Sequence, residues 1–154
     1  MNRAFTYFGS VRGQGRPRTR LMGRTAVIYK ADIDREYEQM IAWAYQMKHG
    51  NEEPIQGAFG IQIKAVLEPP KSASKKRQAQ MLQGYIKPTT KPDTDNVVKA
   101  VLDALNGIAF EDDKNCISIN GIKMYGDEER IEVVLTYCGE EGANENETNT
   151  ETGD

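Results

Sequence analysis

The residues able to do chemistry gather between Lys91 and Asp113. Asp93 and Asp95 stand two apart, Lys99 follows four residues after Asp95, and Glu111, Asp112 and Asp113 arrive after an apolar run. Carboxylates are hard oxygen donors. Three of them converging without histidine or thiolate suit Mg²⁺ or Mn²⁺ rather than zinc. An ion held this way activates water and stabilises charge on a transferring phosphoryl group. A neighbouring lysine adds transition-state stabilisation or positions the nucleophile. The same residues also read as a turn, a helix cap and a solvated loop, because Asp-x-Asp is common in turns. An EF-hand is excluded: Val97 occupies the third ligand position and no glycine follows. The lone histidine, His49, rules out a histidine-rich zinc site, and Cys116 and Cys138 give no disulfide framework.

The elements around this stretch follow from its apolar spacing. Pro92 biases Lys91 toward extended backbone. Asp93 and Asp95 are expected in an extended entry, where period two points both side chains the same way. Asp95 or Asn96 then caps a helix whose buried stripe is Val97, Val98, Val101, Leu102 and Leu105, with Lys99 and Asp103 on the polar side. Asn106-Gly107 ends it. Upstream, residues 3–8 read as a strand, 9–24 as a mobile Gly- and Arg-rich loop, and 25–29 as a second strand. A helix capped by Asp32 or Asp34 carries Ile33, Tyr37, Met40, Ile41, Ala44 and Met47 at helical spacing and stops at Gly50. Trp43 is expected in partial core, and His49 complements the helix C-terminus. Residues 58–67 alternate as a half-buried strand, and a short polar helix fits Lys75–Leu82. Residues 116–125 and 130–138 form a final hairpin around Gly126–Glu129. The expected class is α+β, a mixed sheet of four to five strands packed with two to three helices.

At 38% hydrophobic and 28% charged, the composition excludes a collagen-like or wholly disordered chain, and the length suits one domain. No apolar run approaches a membrane span and the N-terminus lacks a signal-peptide core, so a cytoplasmic protein is expected. The net charge of −3 conceals an asymmetry: residues 139–154 hold six acids and no Lys or Arg. The remaining 1–138 therefore set 20 basic against 17 acidic side chains, near +3. The tail has no aromatic or branched aliphatic residue and is expected to be disordered. Residues 1–30 and 71–91 together carry thirteen cations and no acid. A salt-bridged surface mixes signs; two acid-free blocks point to a polyanion such as nucleic acid.

The segment KPDTDNVVKAVLDALNGIAFEDDKNCI (91–117) resembles the signature of the RusA family of Holliday junction resolvases. GQGRPRTR (13–20) is similar to the G-R-P-R loop of its phage and prophage members, and PPKSASKKR (69–77) to a further basic segment. The likeness covers most of residues 3–137. It implies a homodimeric, Mg²⁺-dependent endonuclease, bacterial or phage-encoded, that cuts opposed strands of a four-way junction. By position it puts metal binding and catalysis on Asp93, Asp95 and Asp113, a catalytic lysine on Lys99, and supporting roles on Asp112 and Lys123. Arg16, Arg18, Arg20, Lys75, Lys76, Arg77 and Lys91 are the expected DNA contacts, positioning phosphates without reading sequence. Two alternatives stand beside it. Pro92-Asp93 with Asp112-Asp113-Lys114 formally fits a PD…D-x-K nuclease, with Lys114 catalytic. A non-catalytic branched-DNA-binding protein would leave the acidic cluster repelling phosphate unless a metal intervened.

Overall fold

A computed structural model describes residues 1–15, 18–30 and 32–139. Arg16 and all of the expected acidic tail except Gly139 lie outside the described residues.

The sheet is built around β4 (Phe59–Leu67). Its alternate residues Phe59, Ile61, Ile63, Ala65 and Leu67 are all buried, while Gln62 between them is exposed, the period-two signature of a strand with one face on a core. β6 (Arg130–Tyr137) pairs antiparallel on one side of β4, and β5 (Cys116–Tyr125) pairs parallel on the other. β1 (Asn2–Phe8) adds antiparallel to β6, giving the order β1-β6-β4-β5. Parallel neighbours need a crossover. Here it runs through α2 (Lys75–Leu82), capped by the Ser74 hydroxyl accepting the Arg77 amide N–H, and α3 (Thr94–Leu105). α3 and α1 (Asp32–His49) cover one face of the sheet. The α+β class, the mixed sheet and the three helices are as expected.

Three local expectations are corrected. First, residues 116–137 do not form a hairpin: β4 lies between β5 and β6. The Gly126–Glu129 connection instead passes over the end of β4, where the Gly126 amide N–H donates to the Leu67 carbonyl. A Cβ at Gly126 would come within 2.4 Å of Val66 Cγ1, so this crossing needs glycine. Second, the 9–24 segment is not one loop. Arg18–Met22 form β2, which pairs with β3 (Thr25–Tyr29) through a turn at Gly23, whose φ of 66° suits glycine. Third, the buried stripe of α1 runs through Asp34, Tyr37, Ile41 and Tyr45. Tyr37 and Tyr45 win those positions because their hydroxyls find partners at the Arg12 amide and the Arg3 guanidinium. Met40, Met47 and Ile33 turn outward, and Trp43 is 52% exposed.

In α3 the buried residues are Val97, Ala100, Val101, Ala104 and Leu105. Burying Val97, Val101 and Leu105 contributes about 1.5–3 kcal/mol each. That fixes the helix's rotation about its axis and leaves Asp95 and Lys99 exposed to solvent.

Candidate active site

α3 begins two residues earlier than an Asp95 cap would set it. Asp93 is the N-cap, in extended backbone (φ −68°, ψ 139°), and Asp95 is already in the first helical turn. The period-two argument for Asp93 and Asp95 therefore does not apply; both are exposed at one helix terminus instead. An N-cap aspartate ordinarily accepts an amide hydrogen bond from the first turn. Asp93 makes no side-chain cap bond. Its carboxylate stands at the positive end of the helix dipole, uncommitted to the fold.

Beside it opens a cavity of about 640 Å³ lined by Val11, Arg12, Gln14, Lys91, Asp93 and Asn96. The facing wall is residues 11–14, which are tied down, contrary to the mobile loop expected. The Val11 amide donates to Glu129 Oε1 at 2.7 Å, the Arg12 amide to the Tyr37 hydroxyl at 3.0 Å, and the Gln14 amide to the Asn96 carbonyl at 3.1 Å. The Gln14 side chain donates to Asp103. Gly13 fits because a Cβ there would lie 2.8 Å from Asn96 Cβ. Burial pushes the Tyr37 hydroxyl up to about 12, so it remains protonated. Arg12 and Gln14 were missed as site residues because the glycines around them signal flexibility, whereas here they permit close packing.

Lys123 on β5 reaches the same end of α3, its Nζ donating to the Thr90 carbonyl at 2.7 Å. Midway along β5, a Cβ at Gly121 would meet Val98 Cγ2 at 2.7 Å and Thr94 Cγ2 at 3.5 Å. β5 thus runs past the N-terminal turns of α3 with its later residues and starts near the helix's other end.

Asp113 stands at that start, first residue of a 3₁₀ turn (Asp113–Asn115). Asp112 caps the turn, accepting the Lys114 amide at 3.0 Å. This hydrogen bond, then one from Asp113, holds Asp112 below its ordinary range. The hydrogen bond with Asp112, slight desolvation and the charges of Asp112 and Asp103 push Asp113 up. Asp103 lies eight residues beyond Asp95, roughly 12 Å along the axis. Convergence of Asp93, Asp95 and Asp113 within one chain is not found. Among the described residues no three His, Cys, Asp or Glu side chains are grouped to hold a metal ion.

The basic residues spread widely. Arg18 and Arg20 are exposed on β2, Lys75, Lys76 and Arg77 form the exposed first turn of α2, and Lys91 borders the cavity. Among the described residues no helix is long and apolar enough to cross a membrane.

Residues 9–136 match the family described as Endodeoxyribonuclease RusA. The chain is also 34% identical over 133 residues to "Uncharacterized protein YqaN" of Bacillus subtilis (strain 168), a match covering 85% of this chain and 93% of that protein.

Proposed function

The chain belongs to the RusA endodeoxyribonuclease family and is a DNA-cleaving enzyme, and on that premise we propose that it is a Mg²⁺-dependent homodimer that resolves four-way junctions in recombination and repair. Residues 1–138 are the catalytic unit. The observation that carries the metal assignment is Asp93, an N-cap carboxylate that forgoes its capping bond beside an open cavity. A cap bond is worth about 0.5–2 kcal/mol; a bound cation would give that carboxylate another partner.

The donors fit a hard divalent ion in type. Asp93 and Asp95 supply two carboxylates, and Mg²⁺ characteristically takes one or two together with substrate phosphate. When bound, the ion activates water and neutralises charge on the phosphoryl oxygens. Lys99, one turn beyond Asp95 on the exposed face, offsets the negative charge that grows on the phosphate in the transition state. Asp112 and Lys123 support the site. Arg16, Arg18, Arg20, Lys75, Lys76, Arg77 and Lys91 contact the DNA backbone.

With Asp113 beyond the far end of α3, the third carboxylate is that of Asp113 of the partner subunit. β5 closes one edge of the sheet and exposes Ile117, Ile119, Ile122 and Met124, apolar area that a second copy would cover. Two β5 strands paired antiparallel about a two-fold axis set the start of each beside the end of the other. Asp113 precedes the start, and Lys123 near the end binds the segment leading to Asp93. Two sites, one at each end of the strand pairing, would match the pseudo-two-fold symmetry of a junction.

Subunit mixing tests this. Asp95→Asn and Asp113→Asn chains should each fail to cleave a synthetic four-way junction with Mg²⁺ while still binding it by gel shift. Co-refolded, they should regain nicking, because one of the two composite sites in a mixed dimer carries all three carboxylates. No recovery would return the three carboxylates to a single chain. Cleavage by Asp95→Asn alone would remove Asp95 from the site, and equal affinity for linear duplex would end the junction-selective reading.

A further inference from the structure

Arg12 borders the cavity with Lys91 and Asp93, yet has no part in the reading above. Its backbone is fixed on both sides, by the Val11 amide on Glu129 and its own amide on the Tyr37 hydroxyl before it and by the Gln14 amide on the Asn96 carbonyl after it. Its guanidinium lies 3.9 Å from Asp34 Oδ1 and 5.8 Å from the centre of the Tyr37 ring. The two members of this ion pair differ in exposure: the Asp34 side chain is 8% exposed and that of Arg12 37%. Asp34 is also closed over by the loop, since a Cβ at Gly15 would fall 2.6 Å from its Oδ2. At 3.9 Å the pair is attracted by charge without a hydrogen bond. Asp34 therefore orients the guanidinium while leaving its donors unspent.

We propose that Arg12 is a phosphate-binding residue that seats the DNA backbone in the cavity beside Asp93, with Asp34 and Tyr37 as its positioning residues. The inference rests on the nuclease reading and adds a contact to it. Exposed carboxylates repel a phosphodiester, so a strand reaches Asp93 only if cations close by offset that repulsion. Lys91 supplies a point charge on the cavity wall. Arg12 supplies a planar fork of donors matched to two phosphate oxygens. Its attachment to the fold means little ordering is left to do when the strand arrives, unlike a lysine on an open surface.

Binding to a synthetic four-way junction, measured with Ca²⁺ in place of Mg²⁺ over a range of salt, is the test. Arg12→Ala should weaken binding about tenfold and lower the slope of log affinity against log salt by about one. Arg12→Lys should keep the slope but lose affinity. Asp34→Asn should weaken binding in the wild-type background and add nothing to Arg12→Ala, as expected of a residue acting through another. In Mg²⁺, KM should rise by more than kcat falls. A folded Arg12→Ala chain with wild-type affinity and salt slope overturns the proposal. If Arg12→Ala does not fold, wild-type affinity in Arg12→Lys does the same. An Asp34→Asn effect that persists without Arg12 removes Asp34 from the role. Wild-type protein that binds and cleaves junctions while Arg12 variants match it refutes this inference alone. Wild-type protein that does neither refutes the nuclease reading as well.

Discussion

In the C-terminal half of α3, Asp103 accepts from the Gln14 side chain and from Lys30, and beyond the helix Asp112 accepts the Lys114 amide; at the N-terminal end, Asp93 occupies a cap position and accepts no such bond. Both ends are acidic, and motif matching alone would treat their carboxylates alike. Their hydrogen bonding separates them. A carboxylate already holding donors contributes to the fold, and recruiting it to a cation would forfeit those bonds. One left open at a position where the helix offers amides is available to a partner from outside.

That contrast is broken most directly by a reciprocal pair of substitutions. Asp93→Ala is expected to cut junction cleavage at least about a hundredfold, the scale seen when transition-state charge loses a fixed partner. Its melting temperature should stay near wild type, because no cap bond is lost. Asp103→Ala should do the opposite. It leaves the Gln14 side chain without its acceptor and Lys30 with Glu38 alone, a loss of about 1–2 kcal/mol that lowers the melting temperature by several degrees. Cleavage per folded molecule should change far less. Equal losses of activity from both would mean that hydrogen bonding does not distinguish structural from functional carboxylates here.

The lysines sharpen the same comparison. Lys99 is on the exposed face of α3 one turn from Asp95, whereas Lys114 lies in the 3₁₀ turn with Asp113, its amide donating to the Asp112 carboxylate that caps the turn. Lys99→Ala should slow cleavage by about a hundredfold with junction binding retained, and Lys114→Ala should stay within a few-fold of wild type. The reverse result would support the PD…D-x-K assignment.

How much of this was legible beforehand depended on whether a feature is local. Lys75–Leu82 shows as a helix in the sequence because Ser74 caps it and its composition is helix-forming. β4 shows through its alternation. What sequence could not reveal was set by distant partners. The strand that separates β5 from β6 comes from residues 59–67, far from the turn that suggested a hairpin. Trp43, off the centre of the expected stripe, suits partial core, but the stripe is rotated by Tyr37 and Tyr45, whose hydroxyl partners Arg12 and Arg3 lie elsewhere in the chain. The carboxylate pattern identified which residue types could bind an ion. It carried no information that Asp113 would be separated from Asp93 by the length of α3, because chain reversal after Gly107 fixes that distance only in three dimensions.

The smallest expected effect concerns Lys30, which donates to Glu38 and, at 3.3 Å, to Asp103. Partial burial on its own would lower its pKa, but hydrogen bonds and charge from Glu38 and Asp103 outweigh it and hold Lys30 above its usual 10.5. A cation whose pKa is higher folded than unfolded stabilises the fold fully below the unfolded value. That stabilisation disappears as pH rises through the folded one. Its side chain is 31% exposed, so solvent screening limits the contribution to roughly 1 kcal/mol or less. Lys30→Met should therefore melt slightly below wild type from pH 7 to 9, and the gap should close once the pH climbs past about 10.5. Comparing the two proteins at each pH cancels the other alkaline titrations they share. A gap that stays constant with pH would assign Lys30's contribution to packing of its methylene stem. The carboxylates at that end of α3 would then be held by neutral donors such as Gln14 rather than by charge.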